Sequence, residues 1–160
     1  MSRVPVADLA DGAAARLAGL MSKDLASGSV VGVGVDAVDI VRLRAMLARR
    51  RRLAERLFTP GELAYAHQAS DPAPRLATRF ATKEAVMKAL GLGLGAFGFH
   101  DVEVFRDGLD APRLTLHGAA ADLARLAGAA RWHLSLTHTD SLALAAVVAD
   151  GLPHDGRPRS

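Results

Sequence analysis

The segment from Ser70 to Gly91 constrains the fold more than any other. Ser70-Asp71-Pro72 reads as a helix start and Gly91 as a stop, so one long helix is predicted between them. At 100° per residue, Leu76, Phe80, Val86, Met87 and Leu90 gather into one apolar arc. Lys83 projects into the middle of that arc, while Glu84 and Lys88 lie together at its edge. An i,i+4 Glu–Lys pair is ordinarily a surface salt bridge worth ~0.3–0.5 kcal/mol. A lysine inside an apolar stripe is different. It must snorkel, pair, or meet an anionic ligand, because burying an unpaired charge is costly.

Composition sharpens the interest in this helix. Of the 20 basic residues, 17 are arginine, yet two of the remaining lysines are Lys83 and Lys88. An ammonium is a compact charge whose proton can leave, whereas a guanidinium effectively never deprotonates. The 160 residues suit one domain, and 50% hydrophobic with 23% charged content is globular. A net charge of +3 fits acidic or phosphorylated partners and is weak support for nucleic acid. No cysteine is present, which excludes disulfides, thiolate metal sites and a cysteine nucleophile. No apolar run approaches the ~18 residues of a membrane span, and no signal-like apolar segment opens the chain, so a cytoplasmic protein is expected.

Residues 1–28 read as an N-terminal extension, helical or partly disordered, and residues 151–160 as a disordered tail. The domain between them opens with a strand, Ser29 to Asp36, whose glycines let backbone or ligand approach. A basic helix is predicted from Ile40 to Leu57. Thr59-Pro60-Gly61-Glu62 is a further helix start with the residues of a capping box. After the long helix come a glycine-rich connector (Gly91 to Gly98), strands at Asp101–Phe105 and Arg113–Leu116, and a helix at Ala119–Leu126. The last strands, Arg131–His138 and Leu142–Ala149, flank a Thr139-Asp140-Ser141 turn as a hairpin. The expected class is α+β, a mainly antiparallel sheet packed on a long helix.

Asp36, at the end of its strand, is either a turn former or a second carboxylate to set beside Glu84. Two such acids suit Mg²⁺, which takes one or two carboxylates and completes its shell with water and phosphate oxygens. Arg42, Arg44, Arg49, Arg50, Arg51 and Arg52 form either a solvated face or a docking surface for an acidic partner. Arg79 is a surface charge or a phosphate ligand, and His138 a turn residue or a nucleotide contact. Glu62 is a cap or a site residue. His133 and Ser135 read as surface positions, and Phe80 and Met87 as core.

Four blocks in order resemble one family. Gly34-Val35-Asp36-Ala37-Val38-Asp39-Ile40-Val41-Arg42 is similar to the opening of the holo-acyl-carrier-protein synthases, the single-module 4′-phosphopantetheinyl transferases. Phe58 to Glu62, Arg79 to Gly91 (RFATKEAVMKALG) and Trp132 to Thr139 resemble its later motifs. The resemblance covers roughly residues 30–150. It implies a 4′-phosphopantetheinyl transferase fold and transfer of the phosphopantetheine arm of coenzyme A to a serine of an apo acyl carrier protein. Adenosine 3′,5′-bisphosphate would be released.

It further implies that Asp36 and Glu84 hold Mg²⁺ and, with Lys88, form the catalytic set. Lys88 would neutralise developing charge and is one candidate for handling the serine proton. Arg79, Lys83, Lys88 and His138 would contact coenzyme A, and Arg42 and Arg44 would dock the carrier. A single module would complete its cleft at a subunit interface, in a homotrimer. The competing readings are a non-catalytic carrier-binding module of the same fold and an arginine-rich nucleic-acid-binding domain. The chain departs from the family in having Ala37 and Asp39 where a longer aliphatic residue and Glu are common.

Overall fold

Gly32 and Gly34 explain how the long helix and the first strand come together. The computed structural model describes residues 29–50, 52–106 and 111–152. Strand β1 (Val30–Asp39) lies against helix α4 (Ala73–Ala89) so closely that side chains cannot separate their backbones. A Cβ on Gly34 would sit 1.8 Å from the carbonyl oxygen of Ala85, and one on Gly32 1.8 Å from that of Ala89. The helix answers with an i,i+4 row of alanines, Ala77, Ala81, Ala85 and Ala89, all buried. This is why α4 is buried around most of its circumference instead of along one arc.

Strand β1 is the edge of a three-stranded antiparallel sheet in the order β1-β5-β4, with β4 at Arg131–His138 and β5 at Leu142–Asp150. Register pairs Asp36 with Ala145 and Gly34 with Val147. Ala143, Ala145 and Val147 are buried, and the small residues keep the sheet close to the helix. A two-stranded ribbon, β2 (Val102–Phe105) with β3 (Arg113–Leu116), forms a second sheet, and helix α5 (Gly118–Leu126) follows it. The core gathers Val86, Met87, Phe97, Val102 and Ala120 around α4. A second cluster packs Ile40, Leu43, Leu57, Phe58 and Leu76 at the other end. Phe80 is only half-buried and stacks on Phe99, centroids 5.5 Å apart.

The α+β class, the hairpin and the long helix are as expected; other boundaries differ. β1 runs on to Asp39, which caps α1 (Ile40–Arg49) by accepting from the Arg42 N–H at 2.8 Å. The expected single helix from Ile40 to Leu57 is two, α1 and α2 (Leu53–Leu57), because Arg50 leaves helical geometry at φ −126°, ψ 87°. Helix α3 (Pro60–Ala66) begins with the expected capping box. The expected N-terminal extension, most of the tail and most of the turn at 107–111 lie outside the described residues. Gly151 is buried.

The close approach yields a direct expectation. Gly34→Ala forces backbone against backbone and should cost about 3 kcal/mol or more in chemical denaturation. Gly93→Ala, where an added Cβ meets nothing within 4 Å, should cost under about 0.5 kcal/mol beside it. Equal losses would show that the contact does not govern stability.

Candidate active site

The two lysines of α4 have opposite surroundings. Lys83 is fully buried and its ammonium pairs with Glu62 at 2.9 Å, both side chains 0% exposed. Its other protons go to the carbonyl oxygens of Phe99, at 2.7 Å, and Val102. Glu62 is equally well satisfied, accepting from the Thr59 N–H at 2.9 Å and the Val104 N–H at 3.0 Å. Burial pulls the Lys83 pKa down, and Glu62 works against it. With every proton engaged and no surface, Lys83 is a brace between α3, α4 and β2. The expectation that it contacts coenzyme A is therefore corrected. Glu62 is more than a cap, because it also closes this pair.

Lys88 is half-exposed, and its ammonium reaches Asp36 Oδ1 at 2.8 Å and the Val35 carbonyl oxygen at 3.0 Å. The pair thus forms with the neighbouring strand, which differs from the ordinary i,i+4 surface bridge weighed from the sequence. The hydrogen bond to Asp36 raises the Lys88 pKa, so the amine stays charged at neutral pH. Asp36 Oδ2 is buried and receives no hydrogen bond. The Glu84 carboxyl lies against Asp36: burial first, and then the charge and hydrogen bonding of Asp36, push its pKa up to about 7, with Lys88 opposing.

Two acids 48 positions apart in the chain therefore meet beside one amine. An unsatisfied oxygen on one and a strained negative charge on the other call for a proton or a cation between them. The pair is a donor set suited to a hard divalent ion such as Mg²⁺. Among the described residues no group of three or more His, Cys, Asp or Glu is placed to hold a metal, so water and substrate oxygens would complete the shell.

Among the described residues, clefts open beside α4. One, of about 360 Å³, runs along Ala37, Val38, Arg42, Met46 and Phe80 to Glu84. Arg42 and Met46 also line an adjoining groove with Arg49 and Arg50. Arg44 lines neither and is ion-paired with Asp71 at 2.6 Å. Of the two arginines expected to dock a carrier, Arg42 is the one that lines these clefts. Another cleft, of about 480 Å³, is lined by Tyr65, Arg75, Arg79, Arg106, Thr137 and His138, among others.

The Arg79 guanidinium is buried, stands 4.2 Å from the centre of the Tyr65 ring, and has an Nε–H without an acceptor. His138 Nδ1 is 3.3 Å from the Thr139 carbonyl oxygen. The structure thus brings Arg79 and His138 together but sets them in a cleft apart from the acid pair. Tyr65, Arg75 and Arg106 escaped sequence reasoning. Arg75 stands four residues before Arg79 on one helix face and was detectable; the other two come from distant segments. The pairing of His133 with buried Asp150, at 2.8 Å, also had no sequence signal.

A family model described as the 4′-phosphopantetheinyl transferase superfamily matches residues 32–147. The chain belongs to the holo-acyl-carrier-protein synthases of this superfamily. It is 48% identical over 122 residues to the holo-[acyl-carrier-protein] synthase of Frankia casuarinae, covering 76% of this chain and 98% of that one. To the synthase of Moorella thermoacetica it is 43% identical over 117 residues, covering 73% and 91%. The crystal structure of the Neisseria meningitidis synthase superimposes with a TM-score of 0.69 at 34% identity, covering 76% and 98%. That of the Bacillus anthracis synthase, a complex with CoA (3′,5′-ADP), gives 0.63 at 31%, covering 76% and 97%. The 4′-phosphopantetheinyl transferase fold and an enzyme of that class are established for this chain on these grounds.

The different surroundings of the lysines predict different losses. Lys83→Met strands the buried Glu62 charge and should cost about 3–5 kcal/mol in denaturant unfolding. Lys88→Met, at a half-exposed pair, should cost under about 1 kcal/mol. Similar losses would contradict the assignment of Lys83 to the interior.

Glu84 gives a pH signature. Its folded pKa is about 7 against 4.5 unfolded, so the folded chain binds more protons between those values. The stability it contributes is present below about 4.5 and is lost as pH rises through about 7. In chelator, the difference in thermal midpoint between wild type and Glu84→Gln should move against wild type over that window. A difference independent of pH would show that the Glu84 pKa is not raised in the folded chain.

Proposed function

We propose that the enzyme transfers the 4′-phosphopantetheine group of coenzyme A to a serine of an apo acyl carrier protein, dependent on Mg²⁺, and releases adenosine 3′,5′-bisphosphate. The convergence of Asp36, Glu84 and Lys88 at one point is the observation that carries this reading. Asp36 and Glu84 would hold the metal, which when bound supplies Lewis-acid stabilisation of diphosphate oxygens. Attack of the serine oxygen on the phosphorus at the pantetheine end forms one P–O bond, breaks the P–O bond to the departing nucleotide phosphate, and releases the serine proton to water. Negative charge then collects on the oxygens of the departing nucleotide.

Lys88 faces this charge as a fixed cation. Its bond to Asp36 keeps it protonated, so it serves the leaving oxygens in preference to accepting the serine proton. Arg79, with an unused Nε–H, and His138 suit the separate phosphate monoester of coenzyme A.

The arginine cleft and the acid pair line different surfaces, which favours completion of each site by a second copy. The outward face of the sheet supports assembly. Val33 and Val35 are 59% and 48% exposed, opposite Val148 and Ala146 in register. We assign this face to the subunit contacts of a homotrimer. Carrier docking falls to the groove of Arg42, Met46, Arg49 and Arg50, where basic groups border an apolar floor suited to an acidic amphipathic helix. Arg44, held by Asp71, borders that surface at most. We place the reaction in the cytoplasm and in lipid biosynthesis; no helix among the described residues is long and apolar enough to cross a membrane.

The test mixes the protein, apo carrier, coenzyme A and Mg²⁺ and reads the carrier by intact mass. Addition of one phosphopantetheine group is expected. Glu84→Gln should lose at least about 100-fold in turnover, with only partial rescue by higher Mg²⁺. Binding without addition, across several carriers, would favour a non-catalytic carrier-binding module. Full turnover in Glu84→Gln would remove that residue from the metal set.

A further inference from the structure

Three guanidiniums converge on one phenol beside the 480 Å³ cleft. The Tyr65 ring has the Arg79 Cζ 4.2 Å from its centre and the Arg75 Cζ at 4.6 Å. Its hydroxyl hydrogen-bonds Arg106, and its own carbonyl oxygen accepts from Arg75 Nη1 at 2.8 Å. Arg79 Nη1 is tied in turn to the Arg75 carbonyl oxygen at 3.0 Å. The Glu62 carboxylate charge acts on Arg79, but that group is committed to Lys83 and two backbone N–H groups.

Like charges gathered this way repel, and long side chains resist being held in one rotamer. Something must template them. An aromatic face attracts a guanidinium through its quadrupole, most strongly where water is excluded. A phenol adds an oxygen acceptor at the ring edge, so one tyrosine holds Arg75 and Arg79 by its ring and Arg106, with Arg79 again, by its hydroxyl. The buried Nε–H of Arg79 without an acceptor shows that the cluster is not self-satisfied. A cleft so equipped fits a phosphate monoester dianion.

We infer that Tyr65 is a positioning residue that sets Arg75, Arg79 and Arg106 as one dianion-recognising cluster, and so determines how far the enzyme prefers coenzyme A to the analogue lacking the 3′-phosphate. This rests on the function proposed above. Tyr65 acts through the arginines and touches no reacting atom. Its loss should weaken nucleotide binding and spare the chemical step.

The test compares full-length wild type, Tyr65→Phe, Tyr65→Leu and Arg75→Gln in steady-state transfer from coenzyme A and from dephospho-coenzyme A, with saturating apo carrier and Mg²⁺. Tyr65→Leu should raise KM for coenzyme A about tenfold, with kcat within about twofold and KM for dephospho-coenzyme A unchanged. Tyr65→Phe keeps the ring and should retain most of the preference. Arg75→Gln leaves Tyr65 in place and should lose part of it. A folded Tyr65→Leu protein with wild-type preference, or with kcat lowered equally for both donors, overturns the inference. If that variant does not fold, unchanged preference in Arg75→Gln overturns it instead. Wild type that uses neither donor overturns the proposed function and the inference together; wild-type transfer with preference indifferent to Tyr65 overturns the inference alone.

Discussion

The backbone-to-backbone approach of β1 and α4 governs the rest of the molecule. Two glycines on the strand and a row of alanines on the helix remove the side chains that would hold the elements at an ordinary sheet–helix distance. A carboxyl group has a short reach, and Asp36 can meet Glu84 and Lys88 only because its strand lies so near. The contact that seals the core is therefore also the contact that assembles the acid pair. Polar groups forced together in this way have few ways to relax, which is why one carboxyl oxygen is left without a donor and the neighbouring acid resists ionising.

The same helix separates two uses of an ammonium. Five residues apart, Lys83 and Lys88 fall about 140° apart on the helix, so one points inward and the other to the rim. The inward one is neutralised by a carboxylate and two carbonyl oxygens and fixes α3 and β2 to α4. That rigidity serves the rim, because Glu84 follows Lys83 directly and takes its direction from the anchored turn. A buried ion pair contributes little net stability, yet breaking it leaves an uncompensated charge. Its role here is to lock the helix that presents the site.

Much of this was legible in the sequence, for identifiable reasons. Punctuation by Pro72 and Gly91, the capping box at Thr59 and the alternation in the final hairpin are local signals, and each element they mark is present. Lys83 was legible as an anomaly, but its resolution was not: Glu62 lies 21 positions away and looked like a cap. The split of the basic helix at Arg50 was missed because arginines give no breaking signal. Tyr65, Arg75 and Arg106 were missed because a cluster drawn from α3, α4 and the end of β2 has no spacing to read. Motif resemblance located the acids; only the fold could set Arg79 and His138 on a different cleft.

The central claim is that residues 36 and 84 share one divalent ion. Titration with Mn²⁺, followed by electron paramagnetic resonance in the presence of coenzyme A, tests it without turnover. The account predicts one tightly held ion per chain in wild type, and weakening of at least about tenfold in Asp36→Asn and in Glu84→Gln alike. Undiminished Mn²⁺ binding in both variants would contradict it.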